Sequence, residues 1–483
     1  MGKGIKINPV LWMMLIIVFF TTCAVNPVTG KREFMLVSQA EEIAMGRQTD
    51  SEIIAMYGVY QNESLNTYIN KMGSRMTPVT HQPDLPYSFK ILDTDVINAF
   101  AVPGGYVYFT RGILAYLNDE AELAGVMGHE LGHVNARHSA KMLSKAQLAQ
   151  FGLQLGAALS ETFAKFSGLA GFGVQMLFLR FSRDNEREAD NLGVEYSTKT
   201  GYDATGMATF FKTLEAMHPS GGSGLPDWFS THPNPVNRIA AVKQKTREWQ
   251  SKIPEQTFVL NREPYLEKID GLVFGPDPRQ GYVENDVFYH PSLKFQFPVP
   301  GDWQISNLPS QVQIVSPDEQ GVLLFTLTDA ASLDAAVQQF LQNSQASPLK
   351  RENKKIHGLR GLQLYSEITG EQSLKLFSTF IEKGNHIFAF HGFAQPEDFE
   401  GKFLVTFKRC MLGFTNLSNP DKINKKPRLV QIKQVLKPMT LNQYLNQLQV
   451  AHQDRETIAL MNGLRIDSKL KKGTKIKIIR DAS

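Results

Sequence analysis

"GVMGHELGHVNARH", residues Gly125 to His138, sets His129 and His133 four apart, with Glu130 directly after the first. On an α-helix, residues four apart lie on one face, one turn above the other. Both imidazoles can then approach one metal ion, at about 2.0–2.1 Å for zinc. Glu130 projects beside them, where a carboxylate can take a proton from water held at the metal. The flanks favour a helix. "DEAELAGVMGHELGHVNARHSAKMLSK", Asp119 to Lys145, has helical periodicity, with Leu123, Val126, Met127 and Val134 on a different side from the histidines. The competing reading is an ordinary helix that happens to carry histidines. A third ligand decides between them.

One familiar extension, with Gly three and His six residues after the second histidine, fails: the chain has Ala136 and Ser139, and His138 is one position off. The other places a glutamate on a later helix. "FSRDNEREADNLGVEYS", Phe181 to Ser197, supplies Glu186 and Asp190, four apart and so on one face. Glu186 can ligate zinc while Asp190 accepts a hydrogen bond from a donor such as a zinc-bound histidine. Read alone, the same stretch is equally a solvated face on which Arg183 and Arg187 pair with the acids.

Apart from His129, His133 and His232, the 11 histidines include eight with no comparable spacing. His138, five after His133, is expected to turn away from the metal, and all eight read as surface or packing residues.

At 483 residues the chain exceeds one ordinary domain, so two or three are expected. It is 42% hydrophobic and 20% charged, enough to bury real cores, and its net charge of +4 is close to neutral for this size. No basic run is interleaved with aromatics, so nucleic acid is not an expected partner. The N-terminus carries Lys3 and Lys6, then the apolar run Val10–Phe20, which is too short to span a bilayer. Residues 1–22 therefore read as a secretory signal. Cys23 follows at once, resembling the lipidated cysteine of bacterial lipoproteins, although Thr22 stands where Gly or Ala is usual. Ala24, by resemblance to sorting rules, points to the outer membrane. Lipidated Cys23 would leave Cys410 alone, so no intramolecular disulfide is expected.

Residues 23–262 read as a mostly helical unit with a small β-sheet. Ser38 and Glu41 form a capping box before a periodic run. Tyr87–Leu114 alternates and breaks at Pro103-Gly104-Gly105, predicting a strand, a turn and a second strand. From Leu148 to Leu179 the chain is apolar but interrupted by Glu161 and Lys165, as a buried helix pair or a lid at the membrane surface would be. Pro and Gly density makes 263–285 a linker, 286–417 an accessory α+β domain, 418–428 a second linker and 429–483 a small terminal module.

"HELGH" followed by "NEREAD", in the pattern Glu-x-x-Ala-Asp, resembles the HtpX-type and BepA-type zinc metallopeptidases. "NPVTGKREFMLVSQAEEIAMG", "NAFAVPGGYVYFTRGIL" and "STHPNPVNRI" look like further segments of the family's bacterial lipoprotein branch. The likeness covers about residues 24–250. It implies a minimal gluzincin fold with one zinc per chain, held by His129, His133 and Glu186, and Glu130 as general base. The first Glu of the pattern being the ligand, Glu186 is chosen over Glu188, which on the same helix would point about 160° away. The segment holding His232 and Arg238 would lie over the zinc. There a histidine can stabilise the oxyanion or occupy the open metal position at rest, and a cation can help the developing charge. The Gly-rich stretch 219–228 suits a flap over the site. Strand residues Asn98–Val102 would form a cleft edge to which an extended peptide adds.

By this resemblance the substrates are unfolded or misassembled periplasmic or outer-membrane proteins, cut by a protein lipid-anchored in the periplasm. The alternative is a lipid-anchored chaperone or scaffold with a closed peptidase site. A membrane-embedded prenyl-type protease would need several long apolar spans that the chain lacks. The module 429–483 resembles LysM through Thr440-Leu441, "MNGL" (461–464) and "LKKGTKIKI" (470–478), but has Pro438-Met439 where Gly-Asp is usual. Peptidoglycan contact and a structural or protein-binding role are its two expectations.

Overall fold

The computed structural model describes residues 23–152, 180–217, 228, 231–232, 237–370 and 373–482. The signal 1–22, the apolar stretch beyond residue 152 and the flap 219–227 lie outside the described residues. Among those described, no helix is long and apolar enough to cross a membrane.

Helix Glu120–Asn135 carries the motif, and all of its residues are buried. Asp119 caps it by accepting from the Glu122 N–H at 2.8 Å. Helix Arg183–Lys199 begins in a Ser182/Asn185 capping box and packs against it. Small residues set how close the two come. A Cβ on Gly193 would lie 2.9 Å from the His129 backbone N, and one on Gly128 would lie 2.9 Å from the Gly193 carbonyl O. The glycine before each motif histidine is therefore what admits the second helix. Helices Thr205–Ala216 and Arg238–Gln250 close the bundle.

Tyr87–Leu114 holds three strands where alternation predicts two. Ser88–Leu92 pairs in parallel with the central strand Tyr106–Thr110, and Ala99–Val102 pairs antiparallel with it on the other side as an edge strand. Residues 93–98 interrupt the alternation and carry the chain across the sheet. Their start is held by Arg111, which donates to Asp93 and to the Val273 and Gly275 carbonyls. The predicted turn stands: Gly104 and Gly105 have φ of 83° and 96°, a region open to glycine.

The stretch 263–285 is built into the fold instead of forming a free linker. Helix Arg262–Ile269 buries Tyr265, Leu266 and Ile269 in the main core. Strand Val273–Phe274 then pairs with Arg428–Gln434, which pairs in turn with Lys475–Asp481. The C-terminal unit thus shares one apolar core with the helical unit. Lys477 is fully buried there and donates to the Ala115 and Leu117 carbonyls.

Between these parts, a β-rich unit has its own core. Its seven-stranded antiparallel sheet runs Gln304–Leu308, Gln311–Val315, Val322–Thr328, His386–Ala394, Leu374–Lys383, Leu359–Ile368, Ser347–Ile356. A smaller sheet of Tyr282–Glu284, Val287–His290, Phe295–Pro298 and Thr415–Asn416 packs beside it. The shared core is dense in phenylalanine and encloses Cys410, a buried free thiol.

Candidate metal centre

The helix pair brings four buried side chains to one point. A ligand atom from each of His129, His133, Glu186 and His232 lies within 4.8 Å of the others. His133 Nε2 is 3.1 Å from His129 Nε2 and 3.3 Å from Glu186 Oε1. His232 Nδ1 is 3.0 Å from Glu186 Oε1 and 3.2 Å from His129 Nε2. Glu186 sits in the first turn of its helix, where backbone N–H groups favour negative charge.

Asp190, one turn on, lies behind His129 with Oδ1 at 2.8 Å from Nδ1. Arg238 grips Asp190 with Nε and Nη2 at 2.8 and 2.7 Å and stacks its guanidinium 3.8 Å from the Phe211 ring centre. The same Nη2 comes within 3.3 Å of Glu186 Oε2. Arg238 thus lies beside His129, its Nη2 3.4 Å from Nδ1, and touches the cluster through Glu186.

The electrostatics suit a cation. Burial pulls the His129 imidazole below its ordinary pKa and His133 well below, so both offer neutral lone pairs. Burial alone would raise Glu186, but His232, His133 and His129 outweigh it and hold the carboxyl well down. His232 is likewise opposed by burial yet raised by Glu186 and Glu130. Burial pushes Glu130 up to about 8, with Glu186 adding to the rise and His232 opposing it. Among the described residues, neither Glu130 oxygen makes a hydrogen bond of ordinary geometry, nor does His232 Nε2, 3.7 Å from Glu130 Oε1. Buried polar atoms left so are costly unless a ligand completes them. Two imidazoles, a carboxylate and a third imidazole fit a first-row divalent ion.

Sequence reasoning brings together His129, Glu130, His133, Glu186, Asp190, His232 and Arg238, and the structure places all of them here. Cys23 lies apart, opening a short hairpin with Arg32–Phe34. Missed were Phe181, stacked on His133 at 4.1 Å, and Trp228, stacked on His232 at 4.3 Å. Phe181 comes from a segment remote in sequence from His133, whereas Trp228 stands one helical turn before His232, whose N–H donates to the Trp228 carbonyl at 2.8 Å, a local signal that went unread. His138 stays out of the ligand cluster and is a buried packing residue, its ring centre 4.9 Å from that of His133.

The model of peptidase family M48 matches residues 63–246. The beta-barrel assembly-enhancing protease of Yersinia pestis is 30% identical over 231 residues, covering 46% of this chain and 47% of that one. That of Escherichia coli (strain K12) is 28% identical over 240 residues, covering 48% and 49%. The chain spans about half the length of these bacterial relatives. The mitochondrial metalloendopeptidase OMA1 of Schizosaccharomyces pombe is 30% identical over 238 residues, 48% of this chain and 69% of that one. Likeness to solved structures is weak, as with a cyanobacterial PsbP from Synechocystis sp. PCC 6803 at TM-score 0.24 and 10% identity, over 27% of this chain and 91% of that one. The span of the family model, residues 63–246, holds every residue of this centre, and with the likeness to the Schizosaccharomyces protein over 69% of that protein's length the chain belongs to peptidase family M48.

Proposed function

We propose that this protein is a zinc-dependent endopeptidase. The observation that carries the reading is Glu130, a buried carboxylate whose oxygens make no hydrogen bond of ordinary geometry among the described residues, set beside four converging donors. His129, His133 and Glu186 would hold one zinc, which when bound supplies Lewis acidity that activates water and polarises a carbonyl. Glu130 takes the proton of the attacking water and returns it to the leaving amine, a role suited to a carboxyl raised toward neutral pH. Asp190 fixes the ring of His129, and Arg238 acts through Asp190 and Glu186 as a positioning residue. Edge strand Ala99–Val102 offers backbone groups to an extended substrate, and the Ala101 peptide faces Glu130. Backbone pairing ignores side chains, which suits unfolded or misassembled envelope proteins. The names of the bacterial relatives point the same way. Lipidation at Cys23, a periplasmic outer-membrane location and a LysM-like module at 429–483 that contacts peptidoglycan complete the reading.

One observation favours a closed resting state, with scaffold or chaperone work beside it: His232 already stands among the metal-facing donors. His232→Ala then increases proteolysis if the histidine only blocks, and decreases it if the histidine stabilises the oxyanion.

The deciding experiment is casein digestion by wild type and Glu130→Gln, with bound zinc measured in both. One zinc in each and cutting by wild type alone is expected. Metal in neither overturns the proposal.

A further inference from the structure

His133 has two ring nitrogens, and Nε2 is the one facing the other ligands. A neutral imidazole that presents Nε2 to a metal carries its proton on Nδ1. That Nδ1 lies 2.9 Å from Nδ1 of His138, and His138 Nε2 lies 3.1 Å from Glu188 Oε2. The ionised carboxylate can only accept. With that end fixed, one proton arrangement satisfies all three groups. We infer that His138 and Glu188 form a positioning relay: His133 donates from Nδ1 to His138, and His138 donates from Nε2 to Glu188. The ring of His133 is thereby held with its Nε2 lone pair toward the metal.

The chain builds this contact deliberately. Were helix Glu120–Asn135 to continue, a residue five after His133 would point about 140° away from it. Instead Arg137 adopts a left-handed φ of 55°, and a new helix starts at His138. Arg137 is pinned there by Glu42 and by the Val37 carbonyl. The turn swings His138 back under the ligand. Phe181 stacks on a face of the His133 ring, while His138 meets its edge. Glu188, unsuitable as a ligand by its angle on the helix, is by the same angle directed to this second task.

The two ligand histidines are thus held differently. His129 leans on a carboxylate gripped by Arg238, and His133 on a neutral imidazole gripped by a carboxylate. The inference rests on the metal reading above, so its test reads metal and not cutting. In the full-length chain, zinc affinity is measured by competition with a chromogenic chelator, for wild type, His138→Phe, His138→Asn and Glu188→Gln. Phenylalanine keeps the ring and removes the acceptor; asparagine restores an acceptor near the Nδ1 position. Removal of such a partner weakens metal binding roughly 10- to 100-fold. That loss is expected for His138→Phe, substantial recovery for His138→Asn, and a smaller loss for Glu188→Gln, with unchanged circular dichroism of the metal-free forms. Affinity of His138→Phe within about threefold of wild type, below the usual range for such partners, overturns the relay, as does equal loss in His138→Asn. Should His138→Phe fail to fold, Glu188→Ala at its partly exposed position decides, since it removes the acceptor that glutamine keeps, and unchanged affinity there overturns the relay. A wild type without zinc would instead overturn the metalloenzyme reading itself.

Discussion

The two large interiors of this protein are built on opposite principles. The core of the β-rich unit is nearly all hydrocarbon: Phe295 contacts the rings of Phe288, Phe297, Phe325, Phe388 and Phe414. Around the motif helix the interior instead holds Glu122, His129, Glu130, His133, Glu186, Asp190, His232 and Arg238, all buried. Burying polar and charged groups costs stability unless they are paired, and several of their atoms, both Glu130 oxygens among them, have no hydrogen bond of ordinary geometry among the described residues. A fold keeps such groups where they perform chemistry. Substitutions in the first core should therefore change stability, and those in the second should change function first.

Glu130→Gln is the strongest test of that contrast. Proteolysis falls by roughly 10²- to 10⁴-fold, the usual worth of a general base. Thermal stability stays the same or rises, because an uncompensated buried carboxylate is removed. A marked drop in melting temperature would erase the distinction between the two cores.

Phe297→Ala is the mirror experiment. It opens a cavity among packed rings and costs about 3–5 kcal/mol in denaturant unfolding of the β-rich unit. Zinc content should not change. Loss of zinc would show that the two cores are coupled.

Gly193→Ala tests the boundary between packing and function. The new methyl meets backbone atoms of His129 that cannot move aside, so the helices must separate. Overpacking of this kind costs roughly 1–3 kcal/mol, and zinc affinity should fall beyond what the stability change alone accounts for.

The smallest effect concerns acid. In the β-rich unit, burial lowers His391 to about 4. Its folded value lies below the ordinary 6.5, so it favours folding above pH 6.5, and that contribution is lost as pH falls toward 4. Roughly 1–2 kcal/mol is expected, allowing for partial solvent access. His391→Phe should flatten the pH dependence of unfolding in that window, and an unchanged slope would refute the assignment.

The local parts of the centre were legible in the sequence. Helical spacing put His129 above His133 and Glu186 above Asp190, and neither relation needs anything beyond the pitch of one helix. The capping box at Ser38 and the turn at Pro103-Gly104-Gly105 were legible for the same reason: each is settled by neighbours in the chain. The approach of the two helices had only a faint signal, in Gly128, Gly132 and Gly193, whose meaning depends on which helix they face. Tertiary structure alone decided the rest. It returned His138 to His133 through one left-handed residue, which an arginine does not announce. It turned a Gly- and Pro-rich stretch into core by pairing Val273–Phe274 with Arg428–Leu429 across more than 150 residues. It also inserted Lys477 against carbonyls at the base of the motif helix. Periodicity fixes which residues share a face, and only the closed chain determines what that face meets.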